Sequence, residues 1–340
     1  MSLQLSSQAV RLKLKEPFVL SYGTFHHRDS MIVTLTDEKG HQGYGEATAI
    51  TYYGMKIEDF KKDIALKKTD IESLGTDHPK DLYKYWTSIF PHNAFLRSAF
   101  DCAAWDLYAC RQKRSLRNLL SAEPETPISS FTLSGSANKI AGGLTNCDWP
   151  ILKIKMGTQE DEKILEVLAQ DKGDHEIRID ANGGWDVPKA KHMGNALSKL
   201  GIRWIEQPLP KDQIDKMTEL KDIQNIEWWA DESITDFNSI DACRDHFDGL
   251  NFKLMKSGGI TPTLQMLDYA QKSGVKTALG CMTESSFGIS ALAQLAPLTK
   301  AIDMDGNLLI ENDPGDGVSL EKGVIQFTER CGNGCRWKKQ

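Results

Sequence analysis

The chain has 340 residues, 40% apolar, 26% charged and 8% aromatic, the balance of an ordinary globular protein of about two domains. A chain of this length buries roughly three quarters of its unfolded surface, so it needs no disulfide or structural metal to hold a core. The net charge of −6, with no long basic run before the last residues, excludes a partner that binds through a phosphate backbone, so no nucleic acid is expected.

Seven cysteines, Cys102, Cys110, Cys147, Cys243, Cys281, Cys331 and Cys335, stand scattered without a Cys-x-x-Cys pair. That pattern argues against a zinc ribbon and for reduced thiols in a cytosol. The opening MSLQLSSQAVRLKLKEPF alternates as a strand does and lacks the apolar core of a signal peptide. No window approaches the ~18 apolar residues of a membrane span, so a cytoplasmic chain without a membrane partner is expected, and a homo-oligomer is left open.

Val10 to Lys15, Met31 to Thr36 and the segment Gly43-Tyr44-Gly45-Glu46, read as a turn, predict a small antiparallel sheet. Ile57 to about Leu120 then reads helical, with SAFDCAAWDLYA apolar at helical spacing and Ala at the tight contacts. SAEPETP, from Ser121 to Pro127, carries two prolines and reads as a linker. Beyond it, apolar runs recur at ISSFTL, ILKIK, IRID, IRWIE, EWWAD, LNFK, VKTALG and AID, each ending in a polar or charged residue and each followed by a helical stretch.

Eight strands alternating with helices imply parallel pairing, in a closed barrel or an open doubly wound sheet. The ends at Lys155, Asp180, Glu206, Asp231 and Lys253 recur at roughly 25-residue intervals, as barrel strands do when they project side chains to one mouth. A dinucleotide sheet is excluded, because Gly43-x-Gly45 continues to Thr48 with no helix pattern behind it. The expected fold is therefore an α/β barrel over residues 126–314, preceded by an α+β capping domain over 1–125. Residues 315–340, including the turn around Cys331 and Cys335, are expected to pack back on that domain.

Asp180, Glu206 and Asp231 close three consecutive strands. Three carboxylates without histidine or thiolate make a hard oxygen site suited to Mg²⁺. Lys153 and Lys155 share one strand face, and Lys253 arrives from the opposite side of the barrel. A lysine near other cations and partly desolvated has its pKa lowered and serves as a base near neutral pH. Two such bases facing across a divalent ion predict proton removal beside a carboxylate and its return to the other face, with the enediolate held by the ion's charge.

The motifs LKIKMG, DANGGW, IEQP, ADES and NFKLMKSGGI, which together span much of the barrel, resemble those of the muconate-lactonizing-enzyme subgroup of the enolase superfamily, and within it the dipeptide epimerases. The resemblance implies Asp180, Glu206 and Asp231 as Mg²⁺ ligands, and Lys155 and Lys253 as the acid/base pair. It further implies Lys153 as support for the substrate carboxylate, and Asn182 and Glu232 as residues that orient the ligands. Lys256 is the alternative to Lys253; it lies past the strand end, and the family pattern favours the first lysine.

The pair Asp303-x-Asp305 ends the last strand, and in dipeptide epimerases this motif goes with the substrate's free amino terminus. With the amine there and the terminal carboxylate on Mg²⁺, the C-terminal residue is the one inverted. Thr132, Met282 and Thr283 are expected to touch the substrate, and Tyr22, Phe25, Tyr52 and Tyr53 to line its pocket. Glu-specific relatives carry an arginine beyond a Pro-Phe pair; matching Pro17-Phe18 and Ile32-Val33 without gaps puts Phe25 there, with Arg28 three positions later. A preference for small or apolar residues over Glu follows. A cycloisomerase or succinylbenzoate-synthase-like lyase on the same scaffold, a Schiff-base aldolase using Lys253 and a barrel that binds metal without catalysis are the alternatives.

Overall fold

The computed structural model describes residues 3–75, 78–120 and 125–339. Residues 121–124, most of the expected linker, lie outside them.

Strands β1 (Gln4–Leu20), β2 (Gly23–Thr36) and β3 (Gln42–Thr48) form an antiparallel sheet in that order. It is covered by α1 (Ile57–Glu72), α2 (Pro79–Ile89) and α3 (Ala94–Arg111), with a single turn α4 (Leu116–Leu119) after them. The segment Gly43-Tyr44-Gly45-Glu46 is not a turn: it lies inside β3. Both glycines have a packing reason, since a Cβ on Gly43 would stand 2.1 Å from the Ala103 carbonyl oxygen and one on Gly45 1.9 Å from that of Ala99. The backbone of α3 thus lies flat on β3. Gly45→Ala is expected to cost about 2 kcal/mol through overpacking; a denaturant midpoint equal to wild type would contradict that contact.

All eight expected barrel strands form: β4 (Phe131–Leu133), β5 (Ile151–Lys155), β6 (Glu176–Asp180), β7 (Trp204–Glu206), β8 (Glu227–Ala230), β9 (Gly249–Phe252), β10 (Lys276–Gly280) and β11 (Ala301–Asp303). Each pairs parallel with its sequence neighbour. The helices between them are α5 (Ala137–Asn146), α6 (Asp161–Gln170), α7 (Val187–Lys199), α8 (Asn238–Arg244), α9 (Leu254–Ser257), α10 (Ile260–Lys272) and α11 (Ser286–Ala293); a 3₁₀ segment, Ile214–Leu220, stands between β7 and β8. The two ends of the sheet, β4 and β11, meet through one isolated bridge, Ser129 to Ile302. Leu152, Ile154, Ile179, Ile205, Leu250 and Leu279 fill the core where strands meet helices.

Register brings the polar strand ends to one level. Lys155 pairs with Asp180, and Asp180 with Glu206, while Asp231 and Lys253 directly follow β8 and β9. The glycine loop before α10 holds no free anion site, because Asp101 of α3 accepts from the Thr261 backbone N–H (2.7 Å) and hydroxyl (2.8 Å).

After β11 come the short strands β12 (Gly315–Asp316), β13 (Ser319–Glu321), β14 (Val324–Gln326) and β15 (Arg336–Trp337). The tail meets α3 and α4: Gly332 bridges to Ser115, and the Asn333 N–H donates to Asp106 at 2.6 Å. Cys331 forms a disulfide with Cys110 across 221 residues of sequence, and the remaining five cysteines are free. Reduced thiols throughout do not describe this pair, whose partners are so far apart in sequence that spacing carries no signal. No helix among the described residues is long and apolar enough to cross a membrane.

Candidate active site

Ligand oxygens of Asp180, Glu206 and Asp231 all lie within 4.8 Å of one another, and the three residues are at most 1% exposed. Four lysines reach this cluster, Lys153 and Lys155 from β5, Lys253 from the end of β9 and Lys256 from α9. Lys153 donates to Glu206 (2.9 Å) and Asp303 (2.7 Å) and lies 3.0 Å from Asp180. Lys155 donates to Asp180 Oδ2 at 2.6 Å, and Lys253 to Asp231 Oδ2 at 2.7 Å. Buried carboxylates need such partners, since an unpaired ion in this setting is costly.

The charges set the protonation. Burial raises Asp180, but Lys153 and Lys155 outweigh it and hold the carboxyl at about 2. For Glu206 burial prevails and pushes it up to about 7. Burial lowers Lys253, yet Asp231, Glu206 and Glu232 together outweigh it and the ammonium ends above its ordinary value. The expected lowering by a neighbouring lysine is not met at Lys153: burial lowers it, but the carboxylates of Asp180, Asp303 and Glu206 together outweigh burial and raise the ammonium well above its ordinary value.

Several residues fix the ligands in turn. Asn182 donates to Glu232 at 3.0 Å. Gln207 Oε1 accepts from the backbone N–H groups of Asp231 and Ser233. Asn182, two residues beyond Asp180, and Gln207, directly after Glu206, sit at φ 45° and 39°, strained positions of the kind that gather at functional sites. Asn251 donates to Glu206 at 3.0 Å; it shares a strand face with Lys253, the same period-2 signal that drew attention to Lys153 and Lys155, and sequence reading passed over it. Lys256 is fully buried and donates to the Asp231 carboxylate and carbonyl, away from the cavity. Its position in α9 turns it behind the metal cluster, whereas Lys253 lines the cavity.

That cavity, about 60 Å³, lies between barrel and cap. Lys155, Lys253, Asn182, Glu232, Thr132, Met282, Thr283, Asp303 and Asp305 line it from the barrel. Lys153 does not; with its donors spent on Asp180, Glu206 and Asp303 it belongs to the floor beneath. The cap contributes Phe18, Leu20, Tyr22, Arg28, Ile50 and Tyr53, and the Ser21 hydroxyl fastens it by donating to the Asn182 carbonyl at 2.7 Å. Tyr52 packs against Tyr22 with the rings tilted by 32° at 4.7 Å between centroids, outside the lining.

Phe25 is also outside; the Arg28 guanidinium lies over its ring at 3.7 Å. Arg28 is 5% exposed, and its Nε has no hydrogen-bond partner among the described residues. A cation thus reaches the pocket from three residues beyond the position that gap-free matching assigned.

Thr132 makes its bonds to Asp305, through its backbone N–H (2.6 Å) and hydroxyl (3.2 Å). Ser130, two residues earlier on the same face, donates to Asp303 at 2.9 Å.

The donor set fits Mg²⁺. The triad is all carboxylate, and Asn182 Oδ1, Glu232 Oε2 and Asn251 Oδ1 are buried around it without hydrogen-bond partners among the described residues, so oxygen donors remain for an ion and its waters.

Residues 3–121 match the family model of the mandelate racemase / muconate lactonizing enzyme N-terminal domain, and residues 139–340 that of the enolase C-terminal domain-like family. The L-Ala-D/L-amino acid epimerase of Flavobacterium johnsoniae is 36% identical over 95% of this chain and 96% of its own. The structure of a dipeptide epimerase from Cytophaga hutchinsonii with Mg and D-Ala-L-Val superposes with a TM-score of 0.94 at 26% identity, covering 100% of this chain and 97% of that one. One from Enterococcus faecalis with Mg and L-Leu-L-Tyr gives 0.93 at 28%, covering 98% and 99%. Two family models that together span nearly the whole chain, and a full-length relative above 30% identity, place the buried carboxylates and lysines in a known setting: the chain belongs to the dipeptide epimerases of the enolase superfamily.

Proposed function

We propose that this protein is an Mg²⁺-dependent dipeptide epimerase that inverts the α-carbon of the C-terminal residue. One observation carries the reading: Lys155 and Lys253 line one cavity from strands four apart in an eight-stranded barrel, hence from opposite sides, with the carboxylate triad beside them. Asp180, Glu206 and Asp231 would hold the ion. When bound, Mg²⁺ supplies positive charge to the substrate carboxylate and so makes the neighbouring carbon more acidic.

The chain's own residues do the rest. One lysine Nζ takes the α-proton from its face, and the other, protonated, gives one to the opposite face; the reverse reaction exchanges their parts. Lys153 fixes Asp180, Glu206 and Asp303 around the carboxylate, while Asn182 and Glu232 orient the ligands. Asp303 and Asp305 face the substrate's ammonium, with Thr132, Met282 and Thr283 beside the peptide. The cap over residues 1–125, the barrel over 126–314 and the returning tail are the division we adopt. The location we adopt is the cytoplasm; the Cys110–Cys331 bond is the feature that pulls toward an oxidising compartment.

The apolar wall of Phe18, Leu20, Ile50 and Tyr53 supports small or apolar C-terminal residues over Glu. Arg28 favours a second reading, in which an acidic side chain meets the unpaired guanidinium. Incubating the enzyme with Mg²⁺ and a dipeptide library in D₂O tests both, read as mass gain at the C-terminal residue. L-Ala-L-Leu is expected to exchange faster than L-Ala-L-Glu. Faster Glu exchange, lost in Arg28→Met, selects the second reading, and exchange on no dipeptide ends the epimerase proposal.

A further inference from the structure

The capping domain reaches the barrel through two buried carboxylates, Asp101 of α3 and Glu46 of β3, each at most 2% exposed. Each meets the start of a barrel helix. Asp101 accepts from the Thr261 backbone N–H at 2.7 Å and hydroxyl at 2.8 Å, in the first turn of α10. Glu46 accepts from the backbone N–H groups of Ser285 (3.1 Å) and Gly288 (3.0 Å) and from the Ser285 hydroxyl (2.5 Å), at the start of α11. A helix leaves its first N–H groups without partners of its own, and here the other domain supplies them.

Both helices begin a few residues beyond the cavity wall. Lys253 stands directly before the single turn α9, whose Leu254 carbonyl accepts from the Gly258 and Gly259 N–H groups at 2.9 and 2.8 Å. A Cβ on Gly259 would lie 2.6 Å from Asp101, so this loop is pressed against the cap. From residue 253 to 261 the chain is therefore one closed turn, and a shift at Thr261 is passed to the lysine. On the other side, Met282 and Thr283 stand three and two residues before Ser285, and the Met282 N–H donates to Glu284 at 2.9 Å. Asp101 and Glu46 themselves do not line the cavity.

We propose that Asp101 and Glu46 are positioning residues with separate tasks: Asp101 sets Lys253 against the α-carbon, and Glu46 sets Met282 and Thr283 against the peptide. This rests on the dipeptide reading above. A displaced base loses rate, because proton transfer depends on close and aligned approach. A displaced wall loses contacts made already in the bound substrate, and so raises KM.

The experiment measures kcat and KM for L-Ala-L-Leu, and deuterium exchange of L-Ala-L-Leu and L-Ala-D-Leu in D₂O with Mg²⁺. Asp101→Ala is expected to lower kcat by about 100-fold with KM within about threefold of wild type. In exchange the loss falls on one isomer, the one that Lys155→Ala still exchanges, since Lys253 serves it; the other isomer keeps its rate. Glu46→Ala is expected to raise KM about tenfold with kcat within about threefold, and saturating substrate leaves the ratio of the two exchange rates unmoved. Glu46→Gln, which keeps an acceptor for Ser285 and Gly288, restores most of the KM. Thr261→Val and Ser285→Ala remove only the hydroxyl donors and repeat the two patterns at smaller size, so the test stands even where Asp101→Ala or Glu46→Ala does not fold.

A purely structural role lowers the folded fraction, and with it kcat and the exchange of both isomers equally, at unchanged KM. That pattern in the variants at both joints, or a KM rise at Asp101 and a one-isomer loss at Glu46, overturns the assignment while the epimerase stands. A wild-type enzyme inert on L-Ala-L-Leu and on every other free dipeptide overturns the reading beneath it, and the proposal with it.

Discussion

Lys155→Ala and Lys253→Ala are each expected to abolish epimerisation, with a loss of about 10³-fold or more, yet each is expected to retain α-proton exchange on one stereoisomer of the C-terminal residue. The two ammonium groups enter the cavity from strands on opposite sides of the barrel, so each reaches one face of the α-carbon. A variant with a single lysine can still remove a proton from the isomer that presents it on that side and return deuterium to the same side. Inversion needs both. Proton NMR in D₂O with L-Ala-L-Leu and L-Ala-D-Leu shows the split directly. Exchange of both isomers by one variant would mean that one base serves both faces, which the geometry does not allow.

The second large effect is expected at Asp231. Its carboxylate meets two buried ammonium groups, Lys253 at 2.7 Å and Lys256 on the other oxygen, and the pairing drives the carboxyl well below its ordinary range against the opposing pull of burial. Asp231→Asn leaves both cations buried with one carboxylate fewer, a change expected to cost about 3–5 kcal/mol. The same substitution removes a ligand oxygen from the triad, so added Mg²⁺ should raise the melting temperature of wild type and leave that of the variant unmoved. A variant as stable as wild type that still responds to Mg²⁺ would show that Asp231 neither balances the lysines nor holds the ion.

The barrel and its floor were legible because period and chemistry coincide. Apolar runs at intervals of roughly 25 residues end in Lys, Asp, Glu, Asp and Lys, and a parallel register then lifts those ends to one rim. What escaped depends on contacts distant in sequence. Gly43 and Gly45 read as a turn because glycine favours turns; their reason is α3, more than fifty residues on, which no local pattern announces.

Arg28 was set aside by gap-free matching. The β1–β2 ladder shifts register between Lys13 and Phe18, so counting from Pro17-Phe18 does not fix which residue of β2 reaches the pocket. Cys110 and Cys331 carry no spacing that marks them as partners. Asn251, by contrast, was readable: the face shared with Lys253 placed it beside the ligands.

The sheet has two free ends. β4 and β11 meet through the single Ser129–Ile302 bridge, and farther along the rim the side-chain bonds Ser130 to Asp303 and Thr132 to Asp305 hold them together. Local opening follows the weakest cooperative unit, so amide hydrogens of β4 and β11 should exchange faster than those of β6 to β9. A substrate ammonium held by Asp303 and Asp305, as proposed, would add a tie across this seam. Occupancy by substrate would therefore reach beyond the pocket, slowing the breathing of the whole barrel along its one unladdered edge.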